Sequence, residues 1–202
     1  MLDRQAEAYF IVYKPCNMVS QFVSPHSVRL LGNLDFTFPE GTHAVGRLDK
    51  DSEGLLILTT NKKLTRLLFM GERLHRRTYL VQVNKRVTID ELERLRSGVT
   101  IKVQGGENYL SRPAEVDIID PPEYLPAPAI ELTPQAPYTW LKITLTEGKF
   151  HQVRKMIGAI RHRVHRLVRI SIEDLTLGKL QPGEVREMEE KELFAKLFLN
   201  RD

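Results

Sequence analysis

The segment HAVGRLDKDSEGLLILTT, His43–Thr60, is the densest mixture of glycine and polar residues in the chain. Its carboxylates, Asp49, Asp51 and Glu53, stand directly ahead of the apolar run Leu55–Thr60. A carboxylate on a loop anchored to a core strand is well placed to act, because the loop presents it and the strand holds the loop. An aspartate in an ordinary turn is the plainer reading of Asp49 alone. Carboxylates this close in sequence also admit a glycosidase pair working from opposite faces of a sugar. Positive charge is segregated elsewhere. Between Lys149 and Ile172 there is no acidic residue, while Lys149, Arg154, Lys155, Arg161, Arg163, Arg166 and Arg169 fall there with His151, His162 and His165. A second cluster holds Lys62, Lys63, Arg66, Arg73, Arg76 and Arg77. Clustered cations are the footprint of phosphate binding, because each neutralised phosphate releases counterions. A solvated helix face is the alternative for either cluster.

Composition excludes several other chemistries. One cysteine, Cys16, cannot form an internal disulfide, which suits a reducing, cytoplasmic setting. No Cys/His set at zinc spacing and no glycine-rich phosphate loop occurs, so neither a metal nor a nucleotide cofactor is expected. No apolar run approaches the ~20 residues of a membrane span, and no membrane partner is expected. The chain has 202 residues, 42% hydrophobic and 28% charged, with a formal net charge of +4. That fits a single domain, or two joined subdomains, with a real core.

The elements that must position these residues read as a mixture. Ala8–Tyr13, Leu55–Thr60, Thr78–Val83, Val99–Val103, Ala114–Ile119, Trp140–Thr146 and Leu167–Ile172 have strand character. On the third of these, Tyr79, Val81 and Val83 share a face. Asn61 is placed to cap a helix carrying Leu64, Leu67 and Leu68. Thr88 with Glu91 forms a capping box for a helix that Gly98 ends. His151–Arg161 reads as a helix with Val153, Met156, Ile157 and Ile160 as its apolar stripe, and Glu189–Leu199 as one with Leu193, Phe194, Leu197 and Phe198 inward. Pro121–Pro137 holds six of the eleven prolines and reads as a long irregular connection. Strands and helices interleave without a regular βαβ rhythm, which predicts an α+β fold with a largely antiparallel or mixed sheet.

GRLDKDSEGLLILTT resembles the signature of the pseudouridine synthases, and of one ribosomal RNA group among them. Three further segments match in order. Lys14-Pro15 in YKPCNMVSQF resembles the first motif. Tyr79 in RRTYLVQV falls at the tyrosine-bearing strand. EGKFHQVRKM followed by RVHRLVRI resembles the third motif and the leucine-bearing strand after it. The match runs from about Ala8 to Met188. The resemblance implies a pseudouridine synthase fold: a curved, mixed, mostly antiparallel sheet in two halves with a central active-site cleft. It also implies a single catalytic domain over 1–202.

Pseudouridine formation breaks the N1–C1′ bond of uridine and rejoins the base through C5. No redox change occurs, so no cofactor is required. The reaction needs a carboxylate near C1′, a cation to keep it ionised, and an aromatic face for the extruded base. The resemblance assigns these roles to Asp49 as nucleophile, Arg154 as its paired cation and Tyr79 as the stacking ring. Leu167 is the apolar contact to the base, and Arg47 enters the RNA as the base leaves. Lys14, Arg76, Arg77, Lys149, His151 and Lys155 are candidate phosphate contacts. Glu53 is assigned a structural role in the loop, and Cys16 none.

Many members of this group carry a small S4-type RNA-binding domain before the catalytic unit. This sequence reaches its first motif by Lys14, which leaves no room for one. It therefore resembles the members without that domain, which implies a single uridine of 23S ribosomal RNA as target, free or in a pre-ribosomal particle. A monomer is expected. Some positions depart from the group: no glycine follows Lys14-Pro15, Arg77 stands where lysine is frequent, and Phe150-His151 replaces other pairs. An RNA-binding ribosome-assembly factor with incidental or lost catalysis is the rival reading. The intact Asp49, Tyr79 and Arg154 weigh against it.

Overall fold

The computed structural model describes residues 7–71, 73–127 and 137–200, and the chain divides into two compact units. The first is formed by 1–75 with 171–202, the second by 76–170.

In the first unit, β1 (Tyr9–Lys14) and β3 (Glu53–Thr59) pair antiparallel from Tyr9↔Thr59 to Lys14↔Gly54. Every residue of both strands is buried. Their unbroken apolar runs, without alternation, suit strands covered on both faces. Leu55, Leu56, Ile57 and Leu58 are fully buried. At about 2 kcal/mol per side chain they make β3 a firm base for the loop before it. β2 (His43–Val45) pairs with the C-terminal half of β3, and β11 (Val185–Met188) with β1. β9 (Val164–Ile172) ends in this unit, where β10 (Leu175–Thr176) folds back on it. The Asn61 side chain accepts the Lys63 N–H at 2.8 Å, and its carbonyl accepts the Leu64 N–H at 3.2 Å. The turn so formed starts α1 (Leu64–Phe69). α4 (Glu190–Leu197) buries Leu193, Phe194 and Leu197. Phe198, expected on the same face, is 43% exposed instead. The helix ends before it, Phe198 takes a left-handed φ of 54°, and the Arg73 guanidinium lies 4.3 Å over its ring.

In the second unit, β4 (Arg77–Asn84) pairs antiparallel with β8 (Tyr138–Leu145) along its whole length. β7 (Glu115–Ile119) flanks β8, and β9 flanks β4. The single apolar face expected of β4 is an understatement, since Leu80 and Gln82 on the opposite face are buried too. The capping box of α2 (Ile89–Ser97) forms as expected, and Gly98 ends the helix with φ 99°. β5 (Thr100–Lys102) and β6 (Asn108–Leu110) form a separate hairpin. α3 (Gln152–Ala159) buries Val153, Met156 and Ile157, with Ile160 just beyond its end, completing the expected stripe. These side chains join Val81, Val83, Leu95, Leu141, Ile143, Leu145 and Leu167 in one core. Of the proline-rich connection, 128–136 lie outside the described residues. Before them, the Pro126 carbonyl accepts a hydrogen bond from Arg166 Nη1 at 2.7 Å. Helices and antiparallel ladders together make the α+β architecture read from the sequence.

Candidate active site

The GRLD segment forms the connection from β2 to β3, residues 46–52, with Asp49 at its midpoint. Gly46 enters the connection with φ 73°, and a Cβ there would lie 2.9 Å from the Phe69 ring. Only glycine fits both the backbone angle and the aromatic lid of α1. The Asp49 carbonyl accepts the Ser52 N–H at 3.1 Å, and Ser52 Oγ donates to Asp49 Oδ2 at 3.4 Å. Leu48 is tied on the other side. Ser20 Oγ accepts the Leu48 N–H at 3.0 Å and donates to the Leu48 carbonyl at 2.9 Å. Asp49 is half-buried, between a buried Leu48 and two exposed residues, Lys50 and Asp51. Its carboxylate is thus held on a loop fixed at both ends.

Lys14 corrects an expectation. Read as a phosphate contact, it is fully buried. Its ammonium donates to the carbonyls of Pro15 at 2.8 Å, Met18 at 2.6 Å and Lys50 at 3.3 Å. All three of its donors are directed at backbone, so the first motif is stitched to the carboxylate loop. Burial pulls the Lys14 pKa down to about 8, while Glu53, Asp51 and Asp49 pull it back up. Glu53 is buried and accepts the Tyr13 hydroxyl at 3.3 Å, which fits a structural role. Burial, then the Glu53 charge, pushes the Cys16 thiol up, so it is a poor nucleophile.

In the second unit, Tyr79 on β4 is half-buried and packs against the core that contains Leu167. Leu167 on β9 is 4% exposed, and Tyr79 stands opposite Ile143 in the ladder. Arg154 lies on α3, one position after the buried Val153, and is half-buried. The turn leading into α3 is organised by Glu147. Its carboxylate accepts the Tyr109 hydroxyl, the Arg112 N–H at 3.0 Å and the Gln152 side-chain amide. Gln152 in turn accepts the Lys149 N–H at 2.8 Å. Two residues of the third motif therefore brace the turn from which the arginine-bearing helix departs.

The remaining cations divide. Arg47 and Lys149 are exposed, and His151 and Lys155 are half-exposed. Arg76 is engaged in an exposed ion pair with Glu115 at 2.6 Å. Arg77 corrects the reading of a phosphate contact: it is 9% exposed, tucked at the start of β4 near Gly148. Arg166, Arg169 and His162 are also buried, so the acid-free stretch is in part interior. His162 Nδ1 lies 2.6 Å from the Asn84 carbonyl and its Nε2 3.3 Å from Glu91. Among the described residues no group of His, Cys, Asp and Glu is arranged to hold a metal ion.

Comparison with known proteins agrees with this arrangement of motifs. Residues 8–159 match the model of the RNA pseudouridylate synthase family. The chain belongs to that family. It is 37% identical over 189 residues to ribosomal large subunit pseudouridine synthase E of Vibrio parahaemolyticus, covering 93% of this chain and 76% of that protein. It is 35% identical over 174 residues to the synthase of the same name from Xanthomonas axonopodis pv. citri, covering 85% and 89%. A crystal structure of a pseudouridylate synthase superposes with a TM-score of 0.75 at 27% identity, over 96% of this chain and 74% of that one.

In this synthase the sequence motifs do more than supply reactive groups. Ser20 inside the first motif, and Glu147 and Gln152 at the start and middle of the third, have no role in the sequence reading. Tyr109 carries no motif signal at all. For Gln152 the clue was available: a polar residue among Val153, Met156 and Ile157 on an apolar face must find a partner.

Proposed function

We propose that this synthase isomerises a uridine of 23S ribosomal RNA to pseudouridine. Asp49 attacks C1′ as the N1–C1′ bond breaks. The base turns while stacked on Tyr79 and against Leu167. C5 then bonds to C1′ as Asp49 leaves, the C5 proton passes to solvent, and N1 takes up a proton in its place. Arg154 pairs with the Asp49 carboxylate, and Arg47 fills the space the base vacates. The observation carrying this reading is the immobilisation of Asp49 on its loop by Ser20, Ser52 and Lys14. A carboxylate required only as a turn residue needs no such support. The choice of large-subunit RNA rests on the names of the relatives in Vibrio and Xanthomonas.

The test is tritium release from 23S transcript labelled at C5 of uridine. The wild type releases tritium, and Asp49→Ala, with an unchanged melting curve, releases none. Full conversion by Asp49→Ala would sink the proposal. Pseudouridine mapping in a strain without the gene is expected to show one 23S position restored to uridine. On the same reading the protein works as a cytoplasmic monomer formed by one catalytic domain, which sedimentation of the active fraction checks. Among the described residues no helix is long and apolar enough to cross a membrane.

A further inference from the structure

Phe150 is the one large apolar side chain of the turn before α3, and it is 61% exposed. Its ring lies on the imidazole of His151, with centroids 3.8 Å apart and planes 21° from parallel. Side chains adjacent in sequence do not normally face each other in a helix. Here His151 has φ 55° and ψ 30°, a left-handed conformation at the N-cap of α3. That local strain rotates the two rings onto one another. Lys155 Nζ lies over the Phe150 ring, 5.1 Å from its centroid and within cation–π range, on the face that His151 does not cover. Lys149 precedes it, its ammonium 4.7 Å over the Tyr109 ring. Tyr109 itself is fixed by its bond to Glu147. No acidic residue occurs from Lys149 to Ile172.

An exposed ring backed by a second ring and flanked by ammonium groups is the arrangement that binds single-stranded nucleic acid. The outer ring face takes an unstacked base in place of the ammonium, which moves with its neighbour onto the adjoining phosphates. A ring serving the core would be buried, as Val153 and Met156 beside it are. We propose that Phe150, backed by His151, is a stacking platform for an unpaired base of the RNA outside the target uridine, with Lys149 and Lys155 on the adjoining phosphates. This rests on the synthase reading and adds to it a residue for substrate selection. The platform is separate from the extruded uridine, whose stacking falls to Tyr79. It favours substrates in which a neighbour of the target is unpaired.

The experiment uses the full chain and a 23S fragment containing the mapped position. Phe150→Leu keeps an apolar side chain and removes the ring face. Its KM for RNA is expected to rise roughly tenfold, with kcat changed far less, because stacking is lost on binding. Phe150→Tyr is expected to restore KM. In a Trp140→Phe background, Phe150→Trp carries the only tryptophan, and its fluorescence should be quenched by RNA. An abasic site at the stacked position should abolish both the quenching and the KM difference between wild type and Phe150→Leu. Equal KM values for wild type and Phe150→Leu, or no quenching by an RNA that is converted, would overturn the platform. Failure of the wild type to release tritium from any ribosomal RNA would instead overturn the synthase reading. A loss on Phe150→Leu in kcat alone would also count against the platform.

Discussion

Ser20 Oγ grips both backbone polar groups of Leu48, accepting its N–H at 3.0 Å and donating to its carbonyl at 2.9 Å. One hydroxyl thereby fixes the peptide planes on either side of the residue before Asp49. Ser20 is 4% exposed and Leu48 7%, so water cannot replace the clamp. The first and second motifs are far apart in sequence, and this pair joins them at the proposed nucleophile.

Ser20→Ala leaves two buried backbone groups unpaired. Each costs about 1–3 kcal/mol when unsatisfied, partly relieved by local relaxation. The variant is expected to lose about 2 kcal/mol in urea denaturation while remaining folded. Its single-turnover rate at saturating RNA should fall by a factor of about 10 to 100, because a carboxylate displaced by even 1 Å attacks poorly. A variant that melts earlier but turns over at the wild-type rate would show that the clamp serves stability alone.

Lys14 yields a pH prediction. Its folded pKa is about 8 against an ordinary 10.5, with burial as the first cause. Between those values the unfolded chain holds a proton that the folded chain has released. Stability contributed by this residue therefore rises with pH across the window. Lys14→Met removes the titration along with three hydrogen bonds to Pro15, Met18 and Lys50, and should destabilise the protein by about 2 kcal/mol. The stability gap between wild type and Lys14→Met is expected to widen from pH 8 to pH 10. Urea titrations at each pH measure it, and a constant gap would contradict the assignment.

Gly98 carries a structural prediction for the second unit. Its φ is 99°, and a Cβ would fall 2.3 Å from the Ser111 carbonyl oxygen. Ser111 cannot give way easily, since its backbone N–H bonds the Val99 carbonyl and its Oγ accepts the Val99 N–H. Gly98→Ala combines a disfavoured backbone angle with a backbone clash and should cost about 3 kcal/mol. A melting curve reads this directly.

How far the sequence anticipates these features depends on the range of the forces involved. The α3 stripe and the Thr88–Glu91 box are local, set by residues three and four apart, and both were legible. The GRLD connection was legible because its glycine, its carboxylate and the apolar run after it are contiguous. Ser20 was not, because its partner is 28 positions away and a serine within that motif has no signature of its own. From sequence, Lys14 and Arg77 are phosphate contacts and Arg166 and Arg169 part of a phosphate-binding cluster, because Lys and Arg are rarely buried. They are buried here where backbone or core encloses them, a tertiary outcome that charge counting cannot see. β2 and β11 escaped notice for a different reason: at three and four residues, with polar members, they are strands only because β3 and β1 pair with them.

The Glu147–Gln152 pair permits a test with a pH signature. Gln152 is 4% exposed, donates to Glu147 and accepts the Lys149 N–H, so it spans the turn on which α3 begins. Gln152→Glu retains the shape but sets a second carboxyl against Glu147. Two carboxylates in hydrogen-bond contact cannot both ionise without a large penalty, so one pKa of the pair is driven upward. Above that pKa the two charges repel, the turn opens, and Arg154 on the following helix loses its setting. Below it, a shared proton restores a hydrogen bond where the amide had donated one. The tritium-release rate of Gln152→Glu is therefore expected to fall roughly tenfold where both carboxyls are ionised and to recover toward wild type as the pH is lowered. Gln152→Met, which cannot titrate, should be impaired throughout. A Gln152→Glu profile parallel to wild type would mean that the turn holds Arg154 without this bond, leaving Tyr109 and the Arg112 N–H to anchor Glu147 on their own.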